Sequence, residues 1–171
     1  MPGRRRRVGF FYLWAFQKLC KTDSSPRSEI MPRVKVTLPD TLPFATDIAV
    51  RVTDLNYGGH LGNDALLGLL HEVRMPFLRH LGLGGDYDPV TKLGLIMVDA
   101  AVEYKGEAFH GDVLRVQMAA TDPGKYGFDV VYHVHNQAGK EIARAKTGLL
   151  CFDYNTRKLR LLPAELAARV G

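Results

Sequence analysis

Between Asp54 and Asp64 the chain reads "DLNYGGHLGND", and an apolar run follows at once. Asp54, Asn56, His60, Asn63 and Asp64 are hydrogen-bonding or ionisable, and Gly58, Gly59 and Gly62 lie among them. A turn alone does not need so many polar side chains. The start of a helix presents backbone N–H groups with no intrahelical partner, at the positive end of the helix dipole. Such donors can hold an oxygen on which negative charge builds. Glycines there let a ligand approach the backbone closely. Further along the run stands Glu72, a carboxylate that could act as base or nucleophile.

The elements around this stretch follow from periodicity. Ile48, Val50 and Val52 alternate with Ala49, Arg51 and Thr53, which predicts a half-buried strand. Leu66, Leu67, Leu69, Leu70, Val73, Phe77, Leu78 and Leu81 recur at helical spacing, with Asn63 or Asp64 as the expected cap and Gly82 as the stop. Pro76 should kink that helix or split off its last turn. Four strand-like segments follow: one from Ile96 to Tyr104, then "DVLRVQMAAT", "YGFDVVYHVHN" and "KEIARAKTGLLCFD". Short turns join them, so neighbours should run antiparallel. One helix has to cover the sheet they form. A sheet edge would stay open, which calls for a homodimer.

Composition narrows the partners. The chain has 171 residues, 46% hydrophobic, enough for one core. Seven Lys or Arg but only two acids fall in the first 30 residues, so this segment carries the whole net charge of +5. The remainder is neutral, which argues against a nucleic-acid surface. Cys20 and Cys151 have neither disulfide-framework nor metal spacing, and a reducing, cytoplasmic location is expected. No apolar run reaches the ~18 residues of a membrane span. Residues 1–30 read as a basic N-terminal extension, either a disordered tail or a start-site artefact, and residues 31–171 as one domain.

The pattern D-x-[DN]-x-x-G-H-x-x-N is formed here by Asp54, Asn56, Gly59, His60 and Asn63. With Glu72 on the helix and Gly111-Asp112 opening a strand, it resembles the hotdog-fold thioesterases of the 4-hydroxybenzoyl-CoA thioesterase type. The resemblance covers roughly Phe44 to Pro163. It implies an α+β hotdog fold, a five-stranded antiparallel sheet wrapped around one long central helix. It also implies a homodimer or tetramer of dimers that hydrolyses acyl-CoA or acyl-carrier-protein thioesters at the subunit interface, with no metal and no cofactor.

On this reading the amides of Gly59, His60, Leu61 and Gly62 polarise the thioester carbonyl. Gly58, Gly59, Leu61, Gly62 and Asn63 contact substrate. The family commonly has its catalytic Asp four residues before the histidine, and this chain has Asn56, an amide that is neither base nor nucleophile. The catalytic role therefore moves to Glu72, in an expected partly buried setting that would raise its pKa. Asn56 and His60 then place the water, and Asp54 fixes the turn by accepting backbone N–H bonds. The alternatives are a catalytically impaired protein that binds acyl-CoA, and a hotdog enoyl-CoA hydratase or dehydratase. His133 and His135 share a strand face and are expected to be solvated. His110 is expected to be structural, and Tyr126 to end a strand or line a channel.

Overall fold

The computed structural model describes residues 33–170. The chain divides after Arg33, and the unit from Val34 onward is described below. The readings for residues 1–30 fall outside the described residues.

Strand β1 spans Phe44–Ala49, and a 3-10 turn follows at Val52–Asp54. The predicted alternation through Val52 is therefore too long. Val50 is buried, but Val52 is 67% exposed because the chain has already turned. Helix α1 runs Asn63–His80. Strands β2 (Leu93–Tyr104), β3 (Val113–Thr121), β4 (Gly127–His135) and β5 (Glu141–Asp153) come next, then the two-residue β6 (Lys158–Leu159) and the short helix α2 (Ala164–Ala167).

All strand pairs are antiparallel, in the order β1-β3-β4-β5-β2, with β6 on the end of β5. Period-two patterning puts Phe128, Val130, Tyr132 and Val134 of β4 on one buried face. Leu114, Val116 and Met118 of β3 and Ala143, Ala145 and Leu149 of β5 join them. Helix α1 covers this face with Leu66, Leu69, Leu70, Val73, Phe77 and Leu78. Gly127 is fixed by the sheet itself, since a Cβ there would collide with the carbonyl of Leu149.

The helix runs through Pro76 as one element. Proline lacks the N–H that would bond the carbonyl four residues earlier, so Glu72 loses its intrahelical acceptor role. Gly82, at φ +86°, ends the helix with paired bonds from Gly82 N to Arg79 O and Leu83 N to Leu78 O. Arg169 adds a donor to Leu81 O at 2.8 Å. Strand β2 is a sheet edge twelve residues long, and its Met97 and Val98 are each 51% exposed.

Candidate active site

The segment from Leu55 to Leu61 is a miniature hairpin. Leu55 and Leu61 form an antiparallel bridge, Asn56 N donates to His60 O, and Gly59 N donates to Asn56 O. Gly59 makes the reversal at φ +76°, a conformation that favours glycine. Asn56 closes an Asx turn by accepting from Gly58 N at 2.8 Å. Its amide nitrogen lies 3.4 Å from His60 Nδ1, which is also 3.2 Å from Leu61 O. A Cβ on Gly58 would come within 3.0 Å of the His60 ring, so that glycine makes room for the imidazole.

Asp54 anchors the hairpin. Its carboxylate accepts from Arg51 N at 2.8 Å and from the Arg51 guanidinium at 3.1 and 3.2 Å. Burial alone would raise its pKa; the Arg51 hydrogen bonds and charge outweigh that and hold it below the usual value. Asp54 O accepts from Gly62 N, and Leu61 N donates to Ala108 O. The Gly111-Asp112 pair belongs to the same support: Val50 N bonds Asp112 O, and the Asp112 carboxylate accepts from Phe109 N and Gln137 Nε2.

This framework corrects the expected donor set. Gly59, Leu61 and Gly62 spend their amides on Asn56 O, Ala108 O and Asp54 O. The cap is Gly62, with no side-chain cap bond, rather than Asn63 or Asp64. The first helical bond is Leu66 N to Gly62 O. The amides of Asn63, Asp64 and Ala65 therefore carry no acceptor among the described residues, and neither does that of His60. Of the expected donor set only the His60 amide stays free, and the other free amides lie in the first turn of α1. Asn63 is exposed, and its carbonyl accepts from the Tyr104 hydroxyl at 2.9 Å.

Glu72 is also corrected. Its side chain is 59% exposed, with Arg51 Nη1 3.7 Å from Oε2. The buried stripe of α1 passes through Leu70, Val73 and Arg74 and leaves Glu72 on the outer face. Along the helix axis Glu72 stands about 12 Å from Asp64, from eight residues at 1.5 Å each. Gly68 lies midway between them, and a Cβ there would meet nothing within 4 Å.

Two functional candidates escaped the sequence reading. Arg51 links Asp54 to Glu72. Arg74 is 4% exposed and bonds both His71 and Asp86. Its position in the apolar stripe, four residues from Leu70 and from Leu78, was the available signal. His133 and His135 are not simply solvated: His133 Nε2 lies 2.8 Å from Glu141 and stacks edgewise on His135. Tyr126 ends at the start of β4, beside a surface cleft it shares with Lys125, Leu159, Arg160 and Leu161. Among the described residues no group of three or more His, Cys, Asp or Glu is placed to hold a metal ion, and no helix is long and apolar enough to cross a membrane.

A single long helix held in the curve of an antiparallel sheet, entered through this hairpin, is the hotdog fold. Solved structures share it. A 1,4-dihydroxy-2-naphthoyl-CoA thioesterase from Synechocystis aligns with a TM-score of 0.65 at 22% identity, over 74% of this chain and 94% of its own. A gentisyl-coenzyme A thioesterase aligns with a TM-score of 0.67 at 16% identity, over 75% of this chain and all (100%) of its own. In sequence, a 1,4-dihydroxy-2-naphthoyl-CoA hydrolase of Synechococcus elongatus is 29% identical over 120 residues, which is 68% of this chain and 87% of that protein. Residues 50–170 match the thioesterase-like superfamily, and the chain belongs to it.

Proposed function

We propose that a homodimer of this chain hydrolyses acyl-CoA or acyl-carrier-protein thioesters. The observation that carries this reading is the placement of two groups on one helix. Unpaired amides at Asn63–Ala65 can hold the thioester oxygen, and exposed Glu72 can attack the carbonyl carbon or activate a water. One chain holds them about 12 Å apart, too far to act on one carbonyl. Two antiparallel copies of α1 crossing at Gly68 would bring each Glu72 opposite the partner's amide at Asp64, because Gly68 is equidistant from both. The long β2 edge, with Met97 and Val98 exposed, supports the same two-fold arrangement by pairing with its own copy.

In this reading Asn56 braces the hairpin and sets the His60 ring, whose Nε2 is left to order water or substrate. Relatives named for CoA thioesters of aromatic acids support acyl-CoA as the substrate class. The test is release of CoA thiol from a panel of alkyl and aryl acyl-CoAs, with wild type and Glu72→Gln. Loss of about a hundredfold or more in kcat is expected for the variant, the usual worth of a positioned acid–base group. Full activity in Glu72→Gln removes that residue from the mechanism. Acyl-CoA binding without turnover, with activity gained by Asn56→Asp, would replace hydrolysis with a binding role.

A further inference from the structure

Strand β2 begins at Leu93, and β5 ends beside it at Asp153. At this end of the sheet cations and aromatic rings alternate. Lys92 Nζ lies 6.0 Å from the centre of the Tyr87 ring, and Tyr87 stacks edgewise on Tyr154 at 5.1 Å. Tyr154 meets Phe152 in the same way at 5.1 Å, and the Arg157 guanidinium lies 5.6 Å from the Phe152 ring. Leu159 pairs with Phe152 across β6. It lines an open cleft of about 530 Å³ with Lys125, Tyr126, Arg160 and Leu161. Lys125 Nζ stands 5.2 Å from the Tyr126 ring.

Five cations therefore crowd one end of a domain that is neutral as a whole. No ion pair among the described residues holds Lys92, Lys125, Arg157 or Lys158, and Arg160 has Asp153 alone, at 3.6 Å. The carboxylates in these turns are already occupied. Asp88 accepts from the Val90 amide and the Thr91 hydroxyl, and Asp153 from the amides of Asn155 and Thr156. Apolar side chains protrude among the cations: Val90 is 87% exposed and Leu161 61%, and Tyr87, Tyr154 and Leu159 are exposed too. The backbone adds an independent sign. Among the described residues, positive φ outside glycine is confined to Lys92 (+59°), Asp122 (+52°) and Arg157 (+57°). Glycine or asparagine would take that conformation at less cost. Two turns thus carry a long cationic side chain where the backbone favours a small residue.

We propose that this end of the sheet docks on an anionic lipid bilayer, with the five cations meeting headgroup phosphates and Leu159 and Leu161 entering the acyl boundary. Tyrosine suits that boundary, because its ring is apolar and its hydroxyl polar. The apolar side chains stand on separate turns with cations between them. A protein-binding surface instead gathers its apolar residues into one core with a polar rim. The Tyr87–Gly94 bridge occupies the free edge of β2 at this end, so pairing of β2 edges in a dimer leaves the surface outside. The proposal stands independently of the hydrolase reading.

The test is flotation of the full chain with vesicles of phosphatidylcholine alone, and of phosphatidylcholine with about one-third phosphatidylglycerol. Binding is expected on the anionic vesicles only. Arg157→Gln/Lys158→Gln should weaken it about thirtyfold, two cations at roughly fivefold each. Leu159→Ser/Leu161→Ser should weaken it about tenfold through lost apolar burial. Both variants should melt as wild type does, since the exchanged side chains are exposed. Arg4→Gln/Arg5→Gln makes the same change in net charge within the basic N-terminal extension and should cost much less. A loss as large in Arg4→Gln/Arg5→Gln as in Arg157→Gln/Lys158→Gln, undiminished binding in the latter, or failure of wild type to bind overturns the proposal. Wild type that ignores the vesicles but binds poly-glutamate also overturns it, and assigns the surface to an acidic protein.

Discussion

Gly68 stands inside α1, where glycine is a poor choice. In a helix interior it costs about 1 kcal/mol relative to alanine. No packing within the described chain explains it, since an added Cβ would meet nothing within 4 Å. The simplest arithmetic therefore makes Gly68→Ala stabilising by about 1 kcal/mol, or roughly 2–4 °C in Tm for a domain of this size. The dimer reading predicts a different balance. If two helices cross at Gly68, each new methyl group enters the contact, and overpacking costs about 1–3 kcal/mol. That would weaken the dimer by roughly fivefold to more than a hundredfold in Kd. Sedimentation velocity over a dilution series reads the dimer directly, and thermal melts at two protein concentrations separate the isolated fold from the assembly. Thiol release from acyl-CoA reports the site. The expected result is a chain no less stable when dilute, a looser dimer, and reduced activity. A variant that melts higher, dimerises as tightly as wild type and keeps full activity would refute the crossing at Gly68.

Three further outcomes follow from contacts already described. Arg74→Met leaves the Asp86 carboxylate without its partner and should lower the unfolding free energy by about 2–4 kcal/mol, with Arg74→Met/Asp86→Asn recovering much of it; an unchanged urea midpoint in the single variant would contradict this pairing. Gly127→Ala drives a Cβ into the Leu149 carbonyl, which the β4–β5 ladder holds in place, and should cost at least about 1–3 kcal/mol by chemical denaturation. Stability should also fall in acid. Asp54 is held low by Arg51 against the opposing effect of burial, Glu141 chiefly by the Arg144 hydrogen bond, and Asp153 chiefly by the Thr156 amide. Each has a folded pKa below its unfolded value, so its contribution is present above the ordinary carboxylate range and is lost as pH falls through the depressed folded values. Urea midpoints measured downward from pH 6 should drop below about pH 4, and Asp54→Asn should flatten part of that slope.

The fold was legible because its signals are local. Alternation in β4 names Phe128, Val130, Tyr132 and Val134, and all four are buried. Helical spacing from Leu66 to Leu78 names the covering face, and Gly82 marks its end. Val52 misled because alternation records side-chain type, whereas leaving the strand depends on the Asp54 carboxylate drawing Arg51 into a turn. Arg74 was hidden for a related reason: an arginine in an apolar stripe is ordinarily a surface residue, and what buries it is Asp86, twelve positions away on a loop.

The candidate site was marked in the sequence by residue types but not by which amides are free, and the hairpin shows why. Whether an amide can polarise a carbonyl depends on whether another carbonyl already occupies it. For Leu61 that carbonyl belongs to Ala108, on the far side of α1 and β2 in sequence, and no local pattern announces it. The glycines of "GGHLG" serve the reversal at Gly59, the His60 ring and the docking of Gly62 on Asp54, so they build the platform instead of donating from it. The free amides that remain besides that of His60, Asn63 to Ala65, are the ones any uncapped helix start offers. What distinguishes this helix is Gly62 at the cap, where no side chain competes for those three amides. A Gly62→Ser change would supply such a competitor. It should change the stability of α1 by no more than a few tenths of a kcal/mol, since glycine is already a tolerable cap and the new Cβ obliges the Asp64 carboxylate to move aside, while lowering kcat for thioester release. If Gly62→Ser left kcat untouched, the oxygen would have to be held elsewhere, with the His60 amide as the remaining donor in this segment.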